Sequence, residues 1–245
     1  MSNNTITHAM VLAAGLGERM RPLTDNTPKP MLHINGRALI DYAIDRVEDA
    51  GIPNVVVNTF YLAEKLEDHL SKRQSPKINF SREPERLETG GGVLHARKLL
   101  GEGPFLVING DALWLNGPDD TLKRMQRIWN PDTMDALLLM HSTVEAYGYS
   151  GRGDFLVGPR GKLTRRPENE ICPYMFAGIQ ILHPRLFSDF EDGKFSLNKI
   201  YDKGIENNRL YGIVHDGEWF HVGTPEALEE IEAFMKERYA GVQHR

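Results

Sequence analysis

The chain has 245 residues, 40% of them hydrophobic, and a formal net charge of -5 at pH 7. That is enough to bury the core of one large α/β domain, alone or with a small insertion, and it excludes a disordered chain. The acidic balance argues against a nucleic-acid partner but leaves room for a local basic pocket, and no apolar run approaches a membrane span.

Taken in chain order, apolar runs alternate with helical patterns. His8–Ala13 reads as a strand, Ala38–Ala50 as a helix, Asn54–Asn58 as a strand and Leu62–Lys72 as a helix. Ile78–Ser81, Gly91–Leu100 and Pro104–Asn109 continue as strand, helix, strand. Such a βαβ series predicts an α/β fold, a Rossmann-like mixed, mainly parallel sheet with helices on both faces and ligands beyond the carboxyl ends of the strands. After a strand at Asp135–His141 the pattern changes to a glycine-rich, β-rich region, Gly148–Gly161, with strands at Asp154–Val157 and Tyr174–Leu182. Strands at Leu210–His215 and Glu218–Val222 follow. A final helix starts at Thr224, an N-cap followed by proline, with Leu228, Ile231 and Met235 on its apolar stripe. With no repeat or linker, the expectation is a single domain: a core over 8–141, a β-rich part over 142–223 and a C-terminal helix over 224–240. The polar opening Met1–His8 lacks the features of a signal peptide, so a cytoplasmic location is expected. The single cysteine, Cys172, reads as a buried structural thiol, since no histidine stands near it in a nucleophile's pattern.

The most informative stretch is Met10-Val-Leu-Ala-Ala-Gly-Leu-Gly-Glu-Arg-Met-Arg-Pro-Leu-Thr24, closed by Thr27-Pro-Lys-Pro30. Gly15 and Gly17 let backbone approach a polyanion and turn N–H groups toward it, while Arg19, Arg21 and Lys29 bring positive charge. There is no Gly-Lys-Ser/Thr and no third glycine at dinucleotide spacing, so neither a P-loop nor a dinucleotide loop fits. Asn109-Gly-Asp111 follows the strand Phe105-Leu-Val-Ile108, placing Asp111 either as a metal-holding carboxylate or as a turn residue. Leu87-Glu-Thr-Gly-Gly-Gly92 stands ahead of a helix, where its amides could face a ligand. A carboxylate can accept a uracil N3–H, which cytosine lacks. Glu83 and Glu88 are candidates for that role, with a solvated loop glutamate as the alternative for each.

Together these elements resemble the sugar-phosphate nucleotidyltransferases, whose signature runs Leu-Ala-Ala-Gly-x-Gly-x-Arg, Pro-Leu-Thr, Pro-Lys-Pro; all of it lies within Leu12–Pro30. The Glu-Thr-Gly-Gly-Gly segment, Glu83 and Gly151-Arg-Gly-Asp-Phe155 are similar to the branch that acts on N-acetylmuramate 1-phosphate. The resemblance implies that family's fold, with a small sugar-binding elaboration, and the transfer of UMP from UTP to a sugar 1-phosphate with Mg²⁺ as cofactor. It implies Arg19, Lys29 and Asp111 as catalytic groups. Leu12, Ala13, Ala14, Gly15, Gly17, Glu83, Thr89, Gly90 and Gly91 would hold the nucleotide, and Asn109, Glu88, Asp154 and Arg166 the substrate.

The usual Trp-x-Asp-x-Gly-Thr here reads Trp219-Phe-His221-Val-Gly-Thr224, with histidine where the family has a metal-binding carboxylate. Imidazole suits Mn²⁺ better than Mg²⁺. The expected metal set is therefore Asp111, His221 and Asp154, while His221 as a structural histidine and Asp154 as a turn residue remain the alternatives. Other sugar and nucleobase pairs, cytidylyl transfer to choline phosphate and a non-catalytic nucleotide sensor also remain open. A monomer or a small homo-oligomer fits equally.

Overall fold

The computed structural model describes residues 5–238, so the start of the polar opening and residues 239–240 of the expected last helix lie outside the described residues. In order, the elements are β1 (His8–Leu12), a two-residue hairpin β2 (His33–Ile34) and β3 (Arg37–Ala38), α1 (Leu39–Asp49), β4 (Asn54–Thr59), α2 (Ala63–Leu70), β5 (Lys77–Arg82) and α3 (Glu88–His95). Next come β6 (Phe105–Asn109), β7 (Ala112–Leu115), α4 (Thr121–Ile128), β8 (Ala136–Ser142), β9 (Phe155–Val157), β10 (Leu163–Arg165) and β11 (Tyr174–Leu182). The chain ends with α5 (Asn198–Glu206), β12 (Leu210–Val214), β13 (Glu218–His221) and α6 (Pro225–Arg238).

One nine-stranded sheet organises the molecule. β5, β4, β1 and β6 lie side by side and parallel. β11 then enters antiparallel between β6 and β8, and β12 pairs parallel with β8. The expected mixed, mainly parallel sheet is therefore present, with the short β9–β10 hairpin extending it beside the start of β11. Runs such as Val55-Val-Val57 and Phe105-Leu-Val-Ile108 are apolar at every position because both faces of these strands are covered. On one face α1, α2 and α4 insert Ile40, Ile44, Leu66 and Leu122; on the other, α3 and α5 insert Val93 and Ile200. A third cluster joins the antiparallel β7–β13 ribbon to α6 through Phe220, Ile231 and Met235. Thr224 does cap α6, its Oγ1 accepting the Ala227 N–H at 3.3 Å.

Two short helices, α4 and α5, have no counterpart in the sequence reading. α4 is capped by Asp120, which accepts the Lys123 N–H at 2.8 Å, but its eight residues bury only Thr121, Leu122 and Met125, a brief periodic signal. Cys172 is buried, in keeping with a structural thiol. Among the described residues no helix is long and apolar enough to cross a membrane.

Where β8 and β12 end, two buried histidines meet with ring centroids 5.6 Å apart, His141 and His215. Burial pushes His215 from the usual 6.5 down to about 4 and lowers His141 as well. Above pH 6.5 both states of the chain leave His215 neutral. Between 6.5 and about 4 only the unfolded chain takes its proton, so stability is lost as pH falls through that window, to a total of about 3 kcal/mol for this one group. Thermal midpoints should therefore fall from pH 7 to pH 4.5, and His215→Gln should flatten that slope. Equal slopes in the two proteins would refute the assignment.

Candidate active site

The parallel register fixes where the site forms. Leu12, the last residue of β1, stands opposite Asn58 on β4 and Asn109 on β6, so three segments leave the sheet at one level. Beyond that edge lies a cavity of about 660 Å³. Its wall includes Leu12, Ala13, Ala14, Gly15, Gly17 and Arg19 from the first strand end and loop, together with Lys29, Asn109, Asp111, Glu83, Glu88 and Thr89. Twelve of the residues named from the sequence are thereby brought together.

Within the first loop only Gly17 uses the left-handed region, at φ 65°, and it opens the short 3-10 turn Glu18–Met20. A side chain there would press on Thr24 and Lys29, and Thr24 Oγ1 donates to the Gly17 carbonyl at 2.8 Å. The Pro-Leu-Thr element thus serves as the clamp of the loop. Gly15 has open space around it and no positive φ, so its value is access. Arg19 lines the cavity, whereas Arg21 pairs with Asp25 at 3.4 Å.

Lys29 sits in a 3-10 turn between Pro28 and Pro30 and donates from Nζ to Asp111 Oδ2 at 2.5 Å. β7 begins immediately after Asp111, and its antiparallel pairing places His221 of β13 opposite Ala112. His221 is half-buried, stacked on Trp219 at 6.0 Å, and its ring lies over Gly223, which lines the cavity. Burial lowers its pKa, Asp111 pulls it back up, and Lys29 and Arg19 push it down. His221 therefore stands neutral at pH 7 within the electrostatic reach of all three predicted catalytic groups.

Among the described residues no three His, Cys, Asp or Glu side chains are close enough to hold a metal ion by themselves. A hard cation that arrives with phosphates needs only one or two carboxylates from the protein, and Asp111 is a carboxylate on the cavity wall. The expected third ligand is not in place. Asp154 is exposed, lies outside the cavity wall, and its Oδ2 accepts the Phe176 N–H at 2.8 Å. Arg166, expected at the substrate, is likewise absent from the cavity wall. Its guanidinium donates to the carbonyls of Gly153, Pro167, Glu168 and Glu170, organising that loop instead of facing the cavity.

The Glu-Thr-Gly-Gly-Gly segment departs from expectation too. The glycines lie inside α3, not ahead of it, and the Gly90 and Gly91 N–H groups both donate to the Phe195 carbonyl, at 2.9 and 3.0 Å. An added Cβ would meet the Phe195 ring at 2.4 Å from Gly90 and the Gly193 carbonyl at 2.1 Å from Gly91. These glycines admit a neighbouring backbone. Thr89 helps to hold it, accepting the Leu197 N–H at 2.9 Å, and Glu88, at φ 61°, faces Lys194 at 3.8 Å.

Three wall residues lie outside the motifs quoted from the sequence: Asn58, Arg86 and Ser196. Asn58 left a signal, a polar residue closing the apolar run Val55-Val-Val57 at a carboxyl strand end. Ser196 left none, because a tertiary contact brings its segment in.

The nucleotidyl transferase family model matches residues 8–238. A protein of Caulobacter vibrioides named N-acetylmuramate alpha-1-phosphate uridylyltransferase is 39% identical over 234 residues, covering 94% of this chain and 97% of its own. One of the same name from Neisseria meningitidis is 38% identical, with 92% and 96% covered. The fold is shared with UDP-glucose pyrophosphorylase complexed with UDP-glucose, at TM-score 0.79, 21% identity and 96% and 100% coverage. It is shared also with the inositol-1-phosphate CTP transferase from T. maritima, at TM-score 0.75, 16% identity and 98% coverage of each chain.

If Gly90 serves packing, Gly90→Ala should lower stability by about 1–3 kcal/mol, read as a shifted urea midpoint. An unchanged midpoint would return Gly90 to ligand binding.

Proposed function

Because the chain belongs to the nucleotidyl transferase family, we propose that it transfers UMP from UTP to N-acetylmuramate 1-phosphate, releasing UDP-N-acetylmuramate and pyrophosphate. The observation that carries this reading is the match to two uridylyltransferases of that name over more than nine-tenths of each chain. The reaction belongs to cell-wall recycling in the cytoplasm, with residues 8–141 holding the nucleotide and 142–223 contributing the sugar side.

An oxygen of the sugar phosphate attacks the α-phosphorus of UTP, and pyrophosphate leaves from the opposite side. The nucleophile is already anionic, so no general base is required, and catalysis comes from alignment and neutralisation of crowded negative charge. Arg19 and the loop carrying Gly15 and Gly17 receive the triphosphate. Lys29, held against Asp111 by its proline-flanked turn, sets one cation where the two phosphates meet. A divalent cation, Mg²⁺ or Mn²⁺, would be held by Asp111 with His221 beside it, and would supply charge screening at the α-phosphate.

Lys29→Met and Asp111→Asn should each lower turnover by about 100-fold or more, measured as pyrophosphate release, since each removes charge that acts on the transition state. Wild-type rates in both would refute the mechanism. His221→Ala should reduce turnover and shift the Mn²⁺ to Mg²⁺ rate ratio; if neither changes, His221 is structural. The substrate is tested by crossing UTP, dTTP, GTP and CTP against N-acetylmuramate, N-acetylglucosamine, glucose and mannose 1-phosphates. Release confined to UTP with N-acetylmuramate 1-phosphate is expected. Release with another pair would replace the substrate, and silence across the panel would turn the reading toward a nucleotide sensor.

A further inference from the structure

Asn58 and Glu83 are 3% and 4% exposed, and both take part in one hydrogen-bond chain under the cavity. The Ala13 N–H donates to Asn58 Oδ1 at 2.7 Å, Asn58 Nδ2 donates to Glu83 Oε1 at 2.7 Å, and the Leu87 N–H donates to Glu83 Oε2 at 3.0 Å. The chain joins the loop after β1, the end of β4 and the turn into α3, which lie far apart in sequence. The Glu83 backbone is itself fixed, its N–H donating to the Thr59 carbonyl at 2.9 Å. α3 leaves room for the pair by having no side chain at Gly92, where an added Cβ would lie 2.6 Å from Glu83 Oε1 and 3.0 Å from Asn58 Nδ2.

We propose that Asn58 and Glu83 are positioning residues that couple the two halves of the nucleotide site. The inference rests on the nucleotide-binding reading above and deepens it. Ala13 and Thr89 both line the cavity, so the link ties the backbone of the first loop to the start of α3. An asparagine suits the task because one planar head carries both the acceptor for Ala13 and the donor for Glu83. A buried carboxylate is held in place by one donor on each oxygen.

The test is an exchange of amide and acid. Asn58→Asp sets two buried carboxylates face to face. Glu83→Gln offers one acceptor oxygen to two donors. In the double variant Asn58→Asp/Glu83→Gln every bond is restored: the new carboxylate accepts from Ala13 and from the new amide, whose oxygen accepts from Leu87. Each single variant should weaken UTP binding and raise its KM about 10- to 100-fold, with a smaller change in kcat. The double should return to within about 3-fold of wild type with the same preference for UTP over CTP.

A double variant no better than the worse single would overturn the inference. So would single variants that lose thermal stability with normal KM. UTP affinity measured by calorimetry on all four proteins separates this from the proposed function. If wild type binds UTP yet releases no pyrophosphate, the function fails while recovery of affinity in the double still supports the link. If wild type binds no nucleoside triphosphate, both fail.

Discussion

The register of β1 between β4 and β6 is the constraint on which the site depends. One row of backbone pairing sets Leu12 level with Asn58 and Asn109, and a slip of one residue would turn every side chain of β1 to the other face. That slip is blocked by the covering of both faces: Ala9 and Val11 pack into one cluster and Met10 into the other. From this row the first loop, the Asn58–Glu83 link and Asp111 all depart at one height. The cavity is thus a consequence of buried apolar packing some distance beneath it.

Charge is arranged locally against the overall balance. The chain carries 34 acidic and 29 basic residues, yet the cavity wall gathers Arg19 and Lys29 together with Asp111. Lys29 is held by rigid flanks and by a carboxylate 2.5 Å away, so its position is set before any phosphate arrives. Preorganised charge of this kind costs little reorganisation during reaction. His221 adds a group whose proton is kept off by burial and by two neighbouring cations, opposed only by Asp111.

Much of the fold was legible because its signals are periodic and long. The strands β1, β4, β6 and β11 and the helix α1 each bury several residues in a regular pattern, and their ends fall within a residue or two of the reading. α4 and α5 are short and bury few residues, which is why they were missed. In the site, the cluster from Leu12 to Lys29 and Asp111 was legible because one contiguous motif and one strand end carry it. The Gly90 and Gly91 readings failed for a general reason. A glycine frees space, and sequence cannot say whether a ligand or another segment of chain fills it; here Phe195 does. Arg166 failed in the same way, since a guanidinium beside several carbonyls is spent on them.

The amino-acid sequence by itself determined the α/β alternation, the strand that carries the glycine loop, the lysine held between prolines and the carboxylate at the end of β6. Each is encoded in local order, through hydrophobic period, backbone restriction and residue type. Tertiary structure alone decided which of the remaining polar groups reach the cavity. Pairing across β7 and β13 brought His221 beside Asp111 from more than a hundred positions away, and packing on α3 brought in Ser196. Burial turned Glu83 from a loop carboxylate into one end of a hydrogen-bonded link, and the Phe176 amide kept Asp154 out of the site. Such outcomes depend on which partner lies nearest in space, and distance in space is what the folded chain alone supplies.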